Sequence, residues 1–252
     1  MKKLLTGAIG LQACLLLTIA GTAQAQDKPK ESYTYSTYHV CDLAQQDRAD
    51  EIYNQLYKPL YDAAIADGTI TAYGYNAHYT GGRWRRAEYS MAPTIQGLLD
   101  AGKKMTDQAV ADPKNKKLDE EFSKICNQHD DYIWSRIAGS VGTVAPGGAS
   151  FSTYYVCDAR EEQADALVQQ VFAPVFDKMV AEGKLKSWGW LEHIVGAQFR
   201  RLETMSATDM KSLMEARAAI NAAFEDNALE ATFTDICDSH ADYMWEIKAS
   251  SP

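Results

Sequence analysis

Three residue types that together can move a proton occur twice in this chain, in the same order: His78, Arg86 and Glu88, then His193, Arg201 and Glu203. A neutral imidazole can take a proton, a guanidinium can hold the anion left behind, and a carboxylate can share or orient the proton. Strand periodicity decides which of them can meet. Ile70, Ala72, Gly74, Asn76 and His78 share one face of a strand, and Tyr73 and Tyr75 take the other. Their counterparts are Leu185, Ser187, Gly189, Leu191 and His193, with Trp188 and Trp190 opposite. On the next strand the same period groups Trp84 with Arg86 and Glu88, and Phe199 with Arg201 and Glu203. The expected site therefore has His78 or His193 as the proton-transfer group and Arg86 or Arg201 as its electrostatic partner, with Glu88 or Glu203 beside them. A glycine in mid-strand leaves space above the sheet, so Gly74 and Gly189 are expected to line a ligand pocket with Asn76, Trp84 and Phe199. The competing reading is a structural ion pair beside a solvated histidine.

A second constellation is Cys-x-x-His, at Cys126–His129 and Cys237–His240. With Cys41 or Cys157 it could hold zinc, but it has no obvious fourth ligand, and no metal site is expected. No cofactor is predicted. Haem is the sharpest alternative, and His78, His193, His129 and His240 could each serve as axial ligand if they faced a large apolar pocket. The chain has no Cys-x-x-Cys-His, Gly-x-Ser-x-Gly, His-Glu-x-x-His, phosphate-binding loop or Rossmann glycine run. Arg83-Trp84-Arg85-Arg86 alternates across a strand and forms no single basic patch. Together with a net charge of −9, which becomes −11 without Lys2 and Lys3, this argues against nucleic acid as a partner.

The elements that must position these residues follow from a long internal repeat. Cys41-Asp42 opens one copy and Cys157-Asp158 the other. Each continues through Pro59 or Pro174, Gly68 or Gly183, an aromatic-Gly-aromatic triplet, Arg-Arg-x-Glu, and a closing Cys-x-x-His-x-Asp-Tyr-x-Trp. In the first copy, strands are expected at 33–41, 69–79, 83–90 and 131–137, and helices over 43–67 and 94–125. Pro59 predicts a kink or a new helix start, and Gly68 a helix C-cap at positive φ. Each half then reads β-α-β-β-α-β, a ferredoxin-like unit. The first and last strands of such a unit are antiparallel neighbours, which brings Cys41 to Cys126 and Cys157 to Cys237 as disulfides. The fold class is α+β, as two tandem βαββαβ domains, 33–138 and 151–248, joined by a Gly-rich linker at 139–150.

Residues 1–25 read as a signal peptide: Lys2-Lys3, an apolar run, then Ala23-Gln24-Ala25 as the cleavage site. A short flexible N-terminus is expected at 26–32 and a tail at 249–252. Removing the leader removes Cys14 and leaves four cysteines, an even count that suits an oxidising periplasmic or extracellular compartment. No membrane span is expected after cleavage.

Two ferredoxin-like halves fused in one chain resemble the dimeric α/β-barrel superfamily, on element order and duplication over nearly the whole mature chain. The resemblance implies an internal pseudo-dimer with a cavity inside the barrel or between sheet and helices. That superfamily includes cofactor-independent monooxygenases, muconolactone isomerases, and haem-degrading and chlorite-dismutating enzymes. The favoured expectation is an exported protein that binds a small apolar or aromatic molecule. A cofactor-free monooxygenase or isomerase is the alternative, and a structural or interaction protein of the cell envelope is a third reading. The copies differ at His39/Tyr155, Asn76/Leu191 and Tyr73/Trp188, which suggests that the halves do different work.

Overall fold

The computed structural model describes residues 32–225 and 227–251. The leader expected at 1–25, Cys14 and most of 26–32 lie outside the described residues.

The first half runs β1 (Tyr33–Val40), α1 (Gln46–Ile52), a π-helical turn (Tyr53–Tyr57), α2 (Lys58–Ala66), β2 (Ala72–Gly81), β3 (Arg86–Ala92), α3 (Ile95–Ala111), α4 (Pro113–Ile125) and β4 (Gln128–Ser140). The second half repeats this order: β5 (Ala149–Val156), α5 (Glu161–Leu167), a π turn (Val168–Phe172), α6 (Ala173–Ala181), β6 (Ser187–Val195), β7 (Arg201–Ala207), α7 (Met210–Phe224), α8 (Ala228–Ile236) and β8 (Ser239–Ser250). Local chemistry sets these boundaries. Pro59 and Pro174 lack an N–H and sit in the first turn of α2 and α6, directly after the widened π turns. Gly68 and Gly183, at φ 76° and 72°, end those helices. Asp112 accepts from the backbone N–H groups of Lys114 and Asn115 and starts α4, with Pro113 as its first residue.

All eight strands close into one antiparallel barrel in the order β1-β3-β2-β8-β5-β7-β6-β4. Each half supplies four adjacent strands, and the halves meet edge to edge along β2–β8 and β4–β6. Both seams carry register shifts, which let the two twisted sheets curve into closure. Disulfides tie Cys41 to Cys126 and Cys157 to Cys237, with Cα atoms 3.9 and 4.0 Å apart. The last strands are longer than the sequence suggests. β4 runs on to Ser140 and β5 starts at Ala149, so the loop between halves is only 141–148. That loop is held in place, because Gly147 N–H donates to Ile247 O and Ile247 N–H donates to Gly148 O, each at 2.8 Å.

Closure gives every strand a lumen face and a helix face. One end of the lumen is plugged by Tyr38, Trp84, Tyr132, Trp134, Tyr154, Phe199, Tyr243 and Trp245. The rings of Tyr38 and Trp84 stack at 4.4 Å, and those of Trp84 and Tyr243 at 4.8 Å. The closing Tyr-x-Trp of each repeat supplies half of this plug. The helix faces carry separate apolar cores in the two halves. Among the described residues, no helix is long and apolar enough to cross a membrane.

Candidate functional site

The residues expected to act together are split between the two faces. His78 follows the lumen face, and its ring lies edge-on to Tyr243 and Trp245. Arg86 and Glu88 follow the helix face of β3. The guanidinium next to His78 is that of Arg85, whose Nη1 donates to His78 Nδ1 at 2.9 Å. His193 has the same arrangement with Arg200, at 2.7 Å. Burial, and then the adjacent Arg85 or Arg200 charge, holds each imidazole below its usual pKa. Each ring is therefore a neutral acceptor at Nδ1. Arg86 and Arg201 are almost fully buried and already paired. Arg86 Nε donates to Asp50 at 2.5 Å and its Nη1 to Gln46 at 2.7 Å, while Arg201 bonds Asp165 and Glu161.

Trp84 and Phe199 do not share a face with Arg86 or Arg201. They precede β3 and β7, where the two-residue period has not begun, and both turn into the lumen plug. The spaces above Gly74 and Gly189 are filled by the protein itself. A methyl group at Gly74 would meet the Tyr89 ring at 2.4 Å, and one at Gly189 would meet Thr204 Oγ1 at 2.8 Å. Asn76 does line a lumen cavity.

His78 and Arg86 both border an open polar pocket with Gln46, Asp50 and Lys248, and Glu88 reaches a different one. Between the sheet and helices of the first half lies a cavity of about 370 Å³. Tyr35, Thr37 and Glu88 come from the sheet, Tyr57 and Tyr61 from the π turn and α2, and Gly102 and Asp119 from α3 and α4. Glu88 Oε1 lies 3.2 Å from His39 Nε2, and Tyr61 donates its hydroxyl to Glu88 Oε2 at 3.4 Å. As donor to the Glu88 carboxyl group His39 uses Nε2–H, and His39 Nδ1 is left buried without a partner. Tyr57 donates to Asp119 at 2.8 Å. Burial first, and then the neighbouring carboxylates, raises the pKa of the Tyr35 hydroxyl and pushes those of Tyr57 and Tyr61 well up.

The same space is built differently in the second half. The residues matching Tyr35, Tyr57 and Tyr61 are Phe151, Phe172 and Phe176, and His39 becomes Tyr155. Gly102 becomes Arg217, whose guanidinium carbon sits 3.4 Å over the Phe151 ring. Glu203 stays but is buried, and desolvation pushes its pKa up to about 7. Sequence reasoning missed His39, Tyr57 and Tyr61 as a group. The legible signal was hydroxyl or imidazole in one copy against Phe or Tyr in the other.

These residues do not fit a haem. No histidine lines the helix–sheet cavity or the lumen cavity. His78 borders a different pocket, whose wall is polar, with Gln46, Asp47, Asp50, Arg86, Glu246 and Lys248, and not the large apolar one an axial histidine would need. His129 and His240 are half exposed beside Asp131 and Asp242. Among the described residues no group of three His, Cys, Asp or Glu side chains could hold a metal ion.

No family model matches the sequence, and no curated protein matches it. Solved structures do share the fold. A candidate monooxygenase from Lactobacillus acidophilus NCFM is similar at TM-score 0.58 and 8% identity, over 88% of this chain and 96% of that one. A candidate monooxygenase from Fusobacterium nucleatum subsp. nucleatum is similar at 0.59 and 7%, over 88% and 94%. An anthrone oxidase-like protein is similar at 0.54 and 9%, over 88% and 93%. At such identities the likeness is one of fold: mixed α and β around a closed, eight-stranded antiparallel barrel.

Proposed function

We propose that this chain binds a small, partly aromatic molecule with an acidic proton, such as a phenol, in the helix–sheet cavity of its first half. One observation carries this reading. The first half holds a hydroxyl-rich cavity of about 370 Å³ around Glu88, where the second half has Phe151, Phe172, Phe176 and Arg217. Aromatic walls with a few convergent polar groups are the usual make-up of a small-molecule site. Calorimetric titration with 2-naphthol and anthrone tests it. Wild type is expected to bind, and Gly102→Arg, which introduces the second half's own residue, is expected to lose at least about tenfold in affinity while keeping its circular dichroism. Equal binding by Gly102→Arg overturns the reading.

An enzymatic role is the second reading, favoured by the hydrogen bonds of Glu88 to His39 and Tyr61. Glu88 would accept the ligand's proton and His39 would hold the carboxylate in place, the opening step of a cofactor-free oxygenase or isomerase. The fold neighbours named for monooxygenase or oxidase activity agree with it. Glu88→Gln is then expected to keep binding but to lower turnover by about 100-fold or more.

Export with cleavage after Ala25 belongs to the same reading, and so does descent of both halves from one duplicated ferredoxin-like unit. The leader sequence and the two disulfide-distance cysteine pairs support export. Amino-terminal sequencing of protein recovered from its host tests it, with Gln26 as the expected first residue.

A further inference from the structure

We propose a second, separate binding site in the barrel lumen: a pocket for one small monocarboxylic acid, held by Arg136. Arg136 projects from β4 into a lumen cavity of about 270 Å³. Among the described residues it is the only cationic side chain on that wall; Glu88 also borders the cavity, but its carboxylate oxygens are directed at His39 and Tyr61, and no Asp or Glu pairs with Arg136. Its one hydrogen bond from the guanidinium is a long one, Nη1 to Trp188 O at 3.3 Å, and its Nε is buried without a partner. Burial pulls its pKa down, with only Tyr89 acting the other way. The matched pairs Arg86–Asp50 and Arg201–Asp165 show how this fold treats an arginine that serves structure. Arg136 has no such partner, and an uncompensated charge in a low-dielectric lumen is costly unless something anionic shares the space.

The lumen is also shaped around this one side chain. A methyl group at Gly189 would meet Thr204 Oγ1 at 2.8 Å and Arg136 Nη1 at 3.0 Å, so this glycine leaves room for the guanidinium, while Gly139, at φ 128°, is required first by the close Trp188 carbonyl. The residue matching Arg136 in the second half is Ile247, so the pseudo-twofold lumen carries one cation and not two. Around it stand neutral hydroxyls in matched sets, Thr34 and Ser36 on β1 with Ser150 and Ser152 on β5, and the phenol of Tyr89.

These features define the ligand's chemistry. A single guanidinium with no second cation suits a monoanion, and its planar fork matches a carboxylate with two parallel N–H···O bonds. The rings of Tyr38, Tyr154 and Trp245 close the far wall and suit an apolar or aromatic body. The volume corresponds to about nine waters, enough for a benzoate-sized acid.

Benzoate, with benzamide as its neutral isostere, tests the site by calorimetry and thermal unfolding. Benzoate is expected to bind once per chain and to raise the melting temperature, with benzamide at least about tenfold weaker. Arg136→Met is expected to lose at least about tenfold in benzoate affinity, and to melt higher than wild type without ligand because the lone charge is gone. Arg136→Gln gives the same affinity readout if the Met variant does not fold. Equal affinity for benzamide, unchanged benzoate binding in the Arg136 variants, or no benzoate binding to wild type at about 10 mM overturns the proposal. So does benzoate binding that survives in Arg136→Met but is lost in Gly102→Arg, because the acid would then occupy the helix–sheet cavity.

Discussion

Glu203 and Arg86 sit on the helix faces of β7 and β3 and face opposite electrostatic problems. Glu203 is buried, and burial raises its pKa from 4.5 to about 7, with Asp242 adding to the rise and Arg217 opposing it. Between those two values the folded state holds a proton that the unfolded chain has released. The stability tied to this group is therefore full below about pH 4.5, falls as pH rises through about 7, and is level above that. Glu203→Gln is expected to remove this slope. Urea titrations should find the variant more stable than wild type at pH 8 by on the order of 2–3 kcal/mol, with the gap closing toward pH 4. Arg86 is buried but fully engaged, chiefly by Asp50, which also accepts from Tyr75 at 2.9 Å. Asp50→Ala strands that guanidinium and is expected to cost about 3–5 kcal/mol in the same assay. A loss below about 1 kcal/mol would mean that Gln46 alone compensates the charge.

At the scale of elements, each bridge joins the end of the first strand of its half to the helix before the last strand. Cys41 and Cys126 are 85 residues apart, so opening that loop frees much unfolded-chain entropy. Cys41→Ser is expected to lower stability by about 4–5 kcal/mol in oxidising buffer, read from the unfolding midpoint. An unchanged midpoint would show that the barrel seams already hold the first half together. Element order and cysteine pairing were legible in the sequence because the repeat presents each signal twice. The two prolines, the two C-cap glycines and the two Cys-x-x-His closures mark equivalent boundaries. Side-chain direction was less legible. Alternation counted back from Arg86 puts Trp84 on the helix side, yet β3 begins at Arg86 and Trp84 turns inward. Nor does any strand pattern show that Gly102 opens a space which Arg217 fills, since that depends on how α3 and α7 approach the sheet. Arg136 was readable only by comparison, as a charge standing where the other copy has Ile247.

The molecule as a whole is held together by two seams. β2–β8 and β4–β6 join halves whose covalent link is only the loop 141–148. Chains covering 1–142 and 143–252, produced separately and mixed, are expected to elute as one 1:1 complex in size-exclusion chromatography. Two independent, well-folded monomers would show that the seams are not needed for folding.

The order of synthesis gives β8 a particular weight. The first half leaves the ribosome with β2 and β4 bare along their outer margins, and bare strand margins invite pairing with other chains. β6 can cover β4 partway through the second half, but the partner of β2, Ser239–Ser250, is the last strand of the barrel to be made. A nascent chain thus stays open along one side until β8 has been made. A stop codon placed just before β8 would leave the whole cylinder unsealed and prone to stick to its neighbours.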